Sequence, residues 1–187
     1  MHYAAILLNS GREADMDYAI RDALHADAAG ILPIYNHAAL NTTAIWNDNA
    51  SDLAQREAWL ADRRARGYPV LVAEAAGAIV GYAGFGDFRP FDGYRHTVEN
   101  SVYVDPAVHG KGIGRALLTA LIPRACLLGK HVMVAGIESS NAASIRLHAS
   151  LGFAEVARMP QVGCKFGRWL DLVLMQRLLT DAGAPPA

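Results

Sequence analysis

The sequence predicts one α+β domain built on a mixed sheet. Two observations predict it. Strand-like and helix-like segments follow in the order β, helices, β, β, β, helix, β, helix, β, β, so hairpin-linked strands are mixed with strand–helix–strand crossovers. The chain has 187 residues, of which 52% are hydrophobic and 19% charged, enough apolar material for one sizeable core.

The elements follow from local pattern. "DYAIRDAL", residues 17–24, partly alternates and reads as a first strand. Residues 27–40 carry helical spacing in Ile31, Ile34, Tyr35 and Ala38, and Pro33 predicts a kink or a break into two short helices. "NTTAIWND", residues 41–48, is turn-like. Ser51 is placed to cap a helix that Gly67 stops. After Pro69, "VLVAEAAGAIVGYAGFG" reads as two strands around a turn near Ala76 and Gly77. "TVENSVYV", Thr97–Val104, is a strand closed by Asp105 and Pro106, and a glycine-rich loop then opens a helix that runs to about Gly129. Residues 131–138 suit a buried strand, and residues 140–152 a short helix with a glycine stop. "FAEVARM" and "WLDLVLMQRLL" read as the last two strands, and residues 180–187 as a disordered tail.

Composition excludes several functions. A formal net charge of -1 argues against a nucleic-acid binder. No apolar run approaches the roughly 20 residues that span a bilayer, and residues 4–8 lack the flanks of a signal peptide. Cys126 and Cys164 form no CxxC pair, so a reduced, cytoplasmic protein is expected. The seven histidines show no HExxH-like spacing, and no metal site is expected.

"VHGKGIGRALLTALI", residues 108–122, is the most informative stretch. A strand, a glycine-rich turn and a helix together make an anion site, because glycines admit close backbone approach and the first helical N–H groups point outward. Lys111 and Arg115 add positive charge; a tight turn with a solvated basic pair is the plain alternative. The loop is not GxxxxGK[ST]. Nor is it GxGxxG, since Gly110, Gly112 and Gly114 give GxGxG.

The pattern resembles the pyrophosphate loop of the GNAT acetyltransferases, [QR]-x-x-G-x-[GA], with His109 in the Gln/Arg position. The likeness extends over residues 16–178. "GYPVLVAE", "GYAGFGDFRPFDGYRHTVENSVYV", "HVMVAGIESSNAASIRLHASLGF" and "MPQVGCKFGRWLDL" resemble the phosphinothricin and methionine sulfoximine acetyltransferases, nearest to the bacterial L-amino acid N-acetyltransferases. The resemblance implies a GNAT fold over residues 16–179: a mostly antiparallel, splayed sheet of about seven strands flanked by helices. Residues 1–15 lie outside it, as an extension or a misassigned start. It also implies acetyl-CoA as co-substrate, a small amino acid as substrate and a homodimer.

Acetyl transfer to an amine needs a base for the ammonium proton, donors for the oxyanion and alignment of the reactants. Glu99 is the candidate base. Its neighbours Val98, Val102 and Val104 are apolar and would raise its pKa, and the resemblance assigns the Glu of this TVE motif as base. Read from the strand alone, an edge carboxylate in a surface salt bridge is the alternative. The resemblance implies substrate contacts at Arg89, Pro90, Phe91, Glu99, Asn100 and Ser101. It implies cofactor contacts at Val102, Tyr103, Val104, Gly110, Lys111, Gly112, Ile113, Gly114, Arg115 and Asn141. Arg89, matching the family's substrate arginine, would capture a carboxylate in a bidentate pair. Arg95 stands between that role and a solvated loop. Phe85, Phe88 and Phe91 are expected to wall the substrate's side chain, and "NTTAIW" to cover it. Asn141 could also be an ordinary N-cap. Tyr103 is a candidate acid for the leaving thiolate. His148 reads as a buried structural histidine, with catalysis as the alternative. Residues 160–169 read as a long hairpin loop or as a dimer contact.

Two other functions stay open. One is a GNAT enzyme for a different amine, such as a polyamine or a protein N-terminus; arginines near Glu99 count against a polyamine. The other is a silent acetyl-CoA-binding sensor, which would not need Glu99 and Arg89.

Overall fold

The computed structural model describes residues 16–180. The expectations for residues 1–15 and for the tail beyond Thr180 lie outside the described residues. Seven strands and four helices are present among the described residues: β1 (Ala19–Asp22), α1 (Ala28–Asn41), α2 (Leu53–Ala65), β2 (Val70–Ala75), β3 (Ala78–Asp87), β4 (Thr97–Val104), α3 (Ile113–Leu127), β5 (Val132–Glu138), α4 (Ala142–Ser150), β6 (Ala154–Lys165) and β7 (Arg168–Leu178). The sheet order is β1-β2-β3-β4-β5-β7-β6. Pairings β1–β2, β2–β3, β5–β7 and β6–β7 are antiparallel, and β4–β5 is parallel. Contacts gather in two compact units. Among the described residues, one holds 16–85 with Ser101–Leu121, the other Gly86–Asn100 with 122–180.

In the first unit, β1 is shorter than its alternation suggests. The Asp27 carboxylate accepts the Leu24 N–H at 2.7 Å and both terminal nitrogens of Arg21 at 2.6 and 2.9 Å, and this draws His25–Asp27 into a 3-10 turn. Arg21 also donates to Glu74 at 2.7 Å. The arginine holds the Asp27 carboxyl below the usual carboxylate range, against its partial burial.

Helix α1 runs through Pro33 without the expected break. A helix-interior proline costs about 3 kcal/mol. Burying Ile31 and Ile34 contributes about 3–6 kcal/mol, and both are buried here with Val70, Val72 and Tyr82. Gly30 lets this helix come close: a Cβ there would lie 2.8 Å from Ile79 Cβ.

Asp52, not Ser51, caps α2. Asp52 accepts the Gln55 N–H at 2.8 Å, and Gln55 Oε1 accepts the Asp52 N–H at 3.1 Å. Three residues after Ser51 stands Ala54, which has no acceptor to return, so the reciprocal box forms one position later. The Ser51 hydroxyl instead accepts from Arg56 Nε at 2.9 Å. Arg56 lies over the Tyr35 ring at 4.0 Å. The turn at Ala76 and Gly77 joins β2 and β3 with φ of 48° and 77°, the left-handed pair that a two-residue hairpin requires.

In the second unit, β5 lies between β4 and β7. Val98, Met133, Ala135, Ile137, Val173 and Met175 are all buried, and strand alternation sets them on one face. His148 and Phe153 are buried with them, ring edge to ring face at 5.1 Å. Residues 160–169 are not a long loop. β6 continues to Lys165 and turns at Phe166 and Gly167, with φ of 52° and 70°, straight into β7. Pro160 has no N–H for a ladder, and the strand absorbs it in an irregularity between Met159 and Gly163. There Gln161 takes φ of 54° and donates its N–H to Asp171 at 2.8 Å.

Candidate active site

The site is built on β4. Its first residues alternate between half-buried and buried, so Thr97, Glu99 and Ser101 share one face while Val98 and Asn100 are buried on the other. The parallel ladder with β5 pairs Thr97–Glu99 with Val132–Val134, less than half of either strand. At its end the Asn100 side chain takes over, donating from Nδ2 to the Val134 carbonyl at 2.9 Å.

Behind Asn100 stands His148, 2% exposed. Its Nε2 lies 3.2 Å from Asn100 Oδ1, and its Nδ1 lies 2.9 Å from the Ser144 carbonyl and 3.4 Å from the Ser144 hydroxyl. A ring donating from both nitrogens would be an imidazolium, and burial pulls the His148 pKa below its ordinary value, partly opposed by the Ser144 carbonyl. A neutral ring donates from one nitrogen at a time, from Nε2 to Asn100 Oδ1 or from Nδ1 to the Ser144 carbonyl. His148 is thus buried with its ring nitrogens facing Asn100 and Ser144. Asn100, named above among substrate contacts, has both ends of its amide engaged inside the protein.

Glu99 stands on the opposite face. Burial pushes its carboxyl above the ordinary range, while the positive charge of Arg89 pulls it back. Arg89 itself is exposed. It donates to the Phe88 carbonyl at 2.8 Å and lies over the Phe88 ring at 4.2 Å. Arg95 instead donates to the Asp92 carbonyl at 3.2 Å, within the turn Asp92–Tyr94.

The three expected wall phenylalanines differ in setting. Phe85 is buried in β3 and packs on Tyr68 at 5.4 Å. Phe88 packs on Tyr94 at 5.8 Å. Phe91 is 70% exposed, and Pro90 beside it is also exposed. In "NTTAIW", Trp46 donates its indole N–H to the Thr43 carbonyl at 2.9 Å, a closed local turn.

The glycine loop has the form expected of it. Gly110 and Gly112 both take φ of 80°, which glycine adopts without penalty. The Ala116 N–H bonds the Gly112 carbonyl at 3.0 Å, so α3 begins at the loop. The N–H groups of Ile113 and Gly114 lie upstream of that first helical bond. Gly114 is inside the helix, and Lys111 and Arg115 flank the turn. His109 donates from Nε2 to the Val104 carbonyl at 3.0 Å, tying the loop to the end of β4. Of the residues expected near a cofactor, Tyr103 packs on buried Tyr82 at 5.3 Å, and Val102 and Val104 are half-buried. Asn141 caps α4, accepting the Ser144 N–H at 3.1 Å.

Two residues here escaped sequence reasoning. Glu138 is buried and accepts from Ser140, N–H at 3.0 Å and hydroxyl at 2.5 Å, fixing the turn before Asn141. Gly136 is the one exposed residue of β5. Its signal was a glycine inside a strand pattern, which marks a close approach or an opening. Among the described residues no cluster of three or more His, Cys, Asp or Glu could hold a metal, and no helix is long and apolar enough to cross a membrane.

Known proteins are similar to this chain. Residues 31–153 match the Acetyltransferase (GNAT) family. The L-methionine sulfoximine/L-methionine sulfone acetyltransferase of Salmonella typhimurium is 62% identical over 168 residues, covering 90% of this chain and 98% of its own. A Salmonella typhimurium structure solved with its cofactor acetyl-CoA superposes with a TM-score of 0.89 at 62% identity, covering 91% of this chain and 98% of that one. A structure of a ribosomal-protein-alanine N-acetyltransferase from Brucella melitensis gives 0.84 at 55% identity, covering 85% and 98%.

The raised Glu99 pKa has a stability consequence. The folded protein binds this proton more tightly than the unfolded chain does. Its burial therefore destabilises the fold above the raised pKa, and that penalty disappears as pH falls below the unfolded value. Glu99→Gln should melt at or above the wild-type temperature at pH 7, with the difference shrinking towards pH 4. A melt at pH 7 well below wild type would show the carboxylate to be a stabilising ion-pair partner.

Proposed function

The chain belongs to the GNAT acetyltransferase family, and from that membership we propose that it acetylates the α-amine of a small L-amino acid of the methionine sulfoximine and methionine sulfone class. It is an N-acetyltransferase that takes its acetyl group from acetyl-CoA. The observation that carries the finer reading is Glu99, a half-buried carboxylate whose pKa burial raises and the positive charge of Arg89 pulls back. An α-amino acid presents an ammonium beside a carboxylate, the complement of that pair.

In this reading the ammonium gives a proton to Glu99. The freed amine attacks the thioester carbonyl; a C–N bond forms, the C–S bond breaks, and the proton that the nitrogen sheds as it becomes an amide passes to the departing thiolate. The backbone of Val102–Val104, half-buried on β4, pairs with the pantetheine arm. The loop 110–115 fits the pyrophosphate, because its left-handed glycines expose backbone and α3 starts there. Arg89 takes the substrate carboxylate.

A second reading is acetylation of a protein N-terminal alanine, which the Brucella similarity favours. It differs at one point: a peptide has an amide where a free amino acid has a carboxylate.

We also read the enzyme as a cytoplasmic homodimer. Val156, Met159, Val162, Phe166 and Trp169 are 40–67% exposed along the β6–β7 hairpin, an apolar row more typical of an interface than of a free surface. Trp169→Asp should shift sedimentation from dimer to monomer. Sedimentation of the wild type as a monomer at micromolar concentration refutes this arrangement.

Two substitutions test the chemistry. Glu99→Gln should lower turnover by roughly 10²–10⁴ with little change in acetyl-CoA affinity. A near wild-type rate would remove Glu99 from the reaction. Arg89→Ala should raise KM for methionine sulfone, at a cost of about 2–5 kcal/mol for a charge pair left half-made. Wild type should prefer methionine sulfone strongly over the same amine lacking its carboxylate, and Arg89→Ala should lose most of that preference. Equal rates on both amines with the wild type would move the reading to another amine.

A further inference from the structure

Gly136 sits in the middle of β5, the one exposed residue in a strand otherwise buried or half-buried. The common reasons for a glycine are absent. Its φ is not left-handed, and no backbone crosses it. A Cβ built there would meet three atoms within 4 Å, all ends of side chains: Glu99 Oε1 at 2.9 Å, Leu172 Cδ1 at 3.6 Å and Leu174 Cδ2 at 4.0 Å. Strand register explains the grouping. Glu99 pairs with Val134, two residues before Gly136 on the same face, and Gly136 pairs with Leu174 across β7. Leu172 and Leu174 are half-buried on that face. The missing side chain therefore leaves an opening bounded by one carboxylate oxygen and two leucine methyls.

A carboxylate beside methyl groups suits an amine whose neighbouring carbons are aliphatic. We propose that Gly136 is a specificity-determining residue: the space it leaves seats the reacting amine against Glu99, with Leu172 and Leu174 receiving the first carbons of the substrate's side chain. This rests on the amino-acid reading above and deepens it. Arg89, Glu99 and the two leucines then take the carboxylate, the amine and the side chain of one tetrahedral carbon, and three such contacts distinguish L from D. Glycine in a strand interior is less stable than alanine, so the fold forgoes stability to keep the opening. An alanine here meets only a movable carboxylate end, so the protein folds while Glu99 is pushed aside.

The test uses the full chain, with methionine sulfone, alanine and the decarboxylated sulfone amine as substrates. Gly136→Ala should melt within a few degrees of wild type and bind acetyl-CoA within about twofold, yet lose roughly tenfold or more in kcat/KM for methionine sulfone. Leu172→Ala and Leu174→Ala should lower the ratio of kcat/KM for methionine sulfone over alanine by roughly tenfold. Wild-type kcat/KM in Gly136→Ala, or a ratio unmoved in both leucine variants, would overturn the assignment. The wild-type arm separates the two readings. If wild type favours the decarboxylated amine, the amino-acid function falls, while Gly136→Ala assayed on that amine still decides whether the opening seats the reacting nitrogen.

Discussion

One side-chain amide organises the site. Asn100 bonds the Val134 carbonyl where the β4–β5 ladder ends, and His148 bonds Asn100 from behind. A parallel ladder that simply stopped would leave a buried carbonyl unsatisfied, at about 1–3 kcal/mol. Here the side chain satisfies it. The next residue back, Glu99, is thereby held on the opposite face, beside the opening over Gly136. Orientation of the Glu99 carboxylate follows from the burial of its neighbours, with no hydrogen bond to it among the described residues.

That arrangement also explains the division of labour between the two faces of the second unit. One face carries Val98, Met133, Ala135, Ile137, Val173 and Met175, closed against solvent. The other carries Glu99, Gly136, Leu172 and Leu174, with a charged group among half-buried methyls. Alternation gives one strand a packed face and a face that carries a carboxylate. The cost appears in Glu99, whose charge is disfavoured by burial, and in Gly136, whose missing side chain leaves the strand partly open.

Much of the fold was legible because its signals are local. The hairpin at Ala76 and Gly77, the glycine stop at Gly67 and the loop before α3 each depend on backbone angles that few residues adopt. Where the reading failed, a neighbour distant in sequence or a competing local partner decided. Pro33 predicted a break, but Ile31 and Ile34 bury enough surface to carry the helix through. Ser51 looked like the cap, but the residue that completes the box stands three positions after Asp52. Residues 160–169 looked like a loop, because Pro160 and two glycines mask a strand that tolerates an irregularity.

By itself the sequence determined the fold class, the glycine-rich loop at the head of α3, the strand that carries Glu99 and, through its motifs, the family. Those depend on residue type and spacing along the chain. Only tertiary structure decided that His148 is buried behind Asn100, that Phe85 packs inward on Tyr68 while Phe91 faces solvent, and that Gly136 lies beside the Glu99 carboxylate. Each of these turns on which strand lies next to which and in what register, and a residue's neighbours across a sheet are not written in its neighbours along the chain.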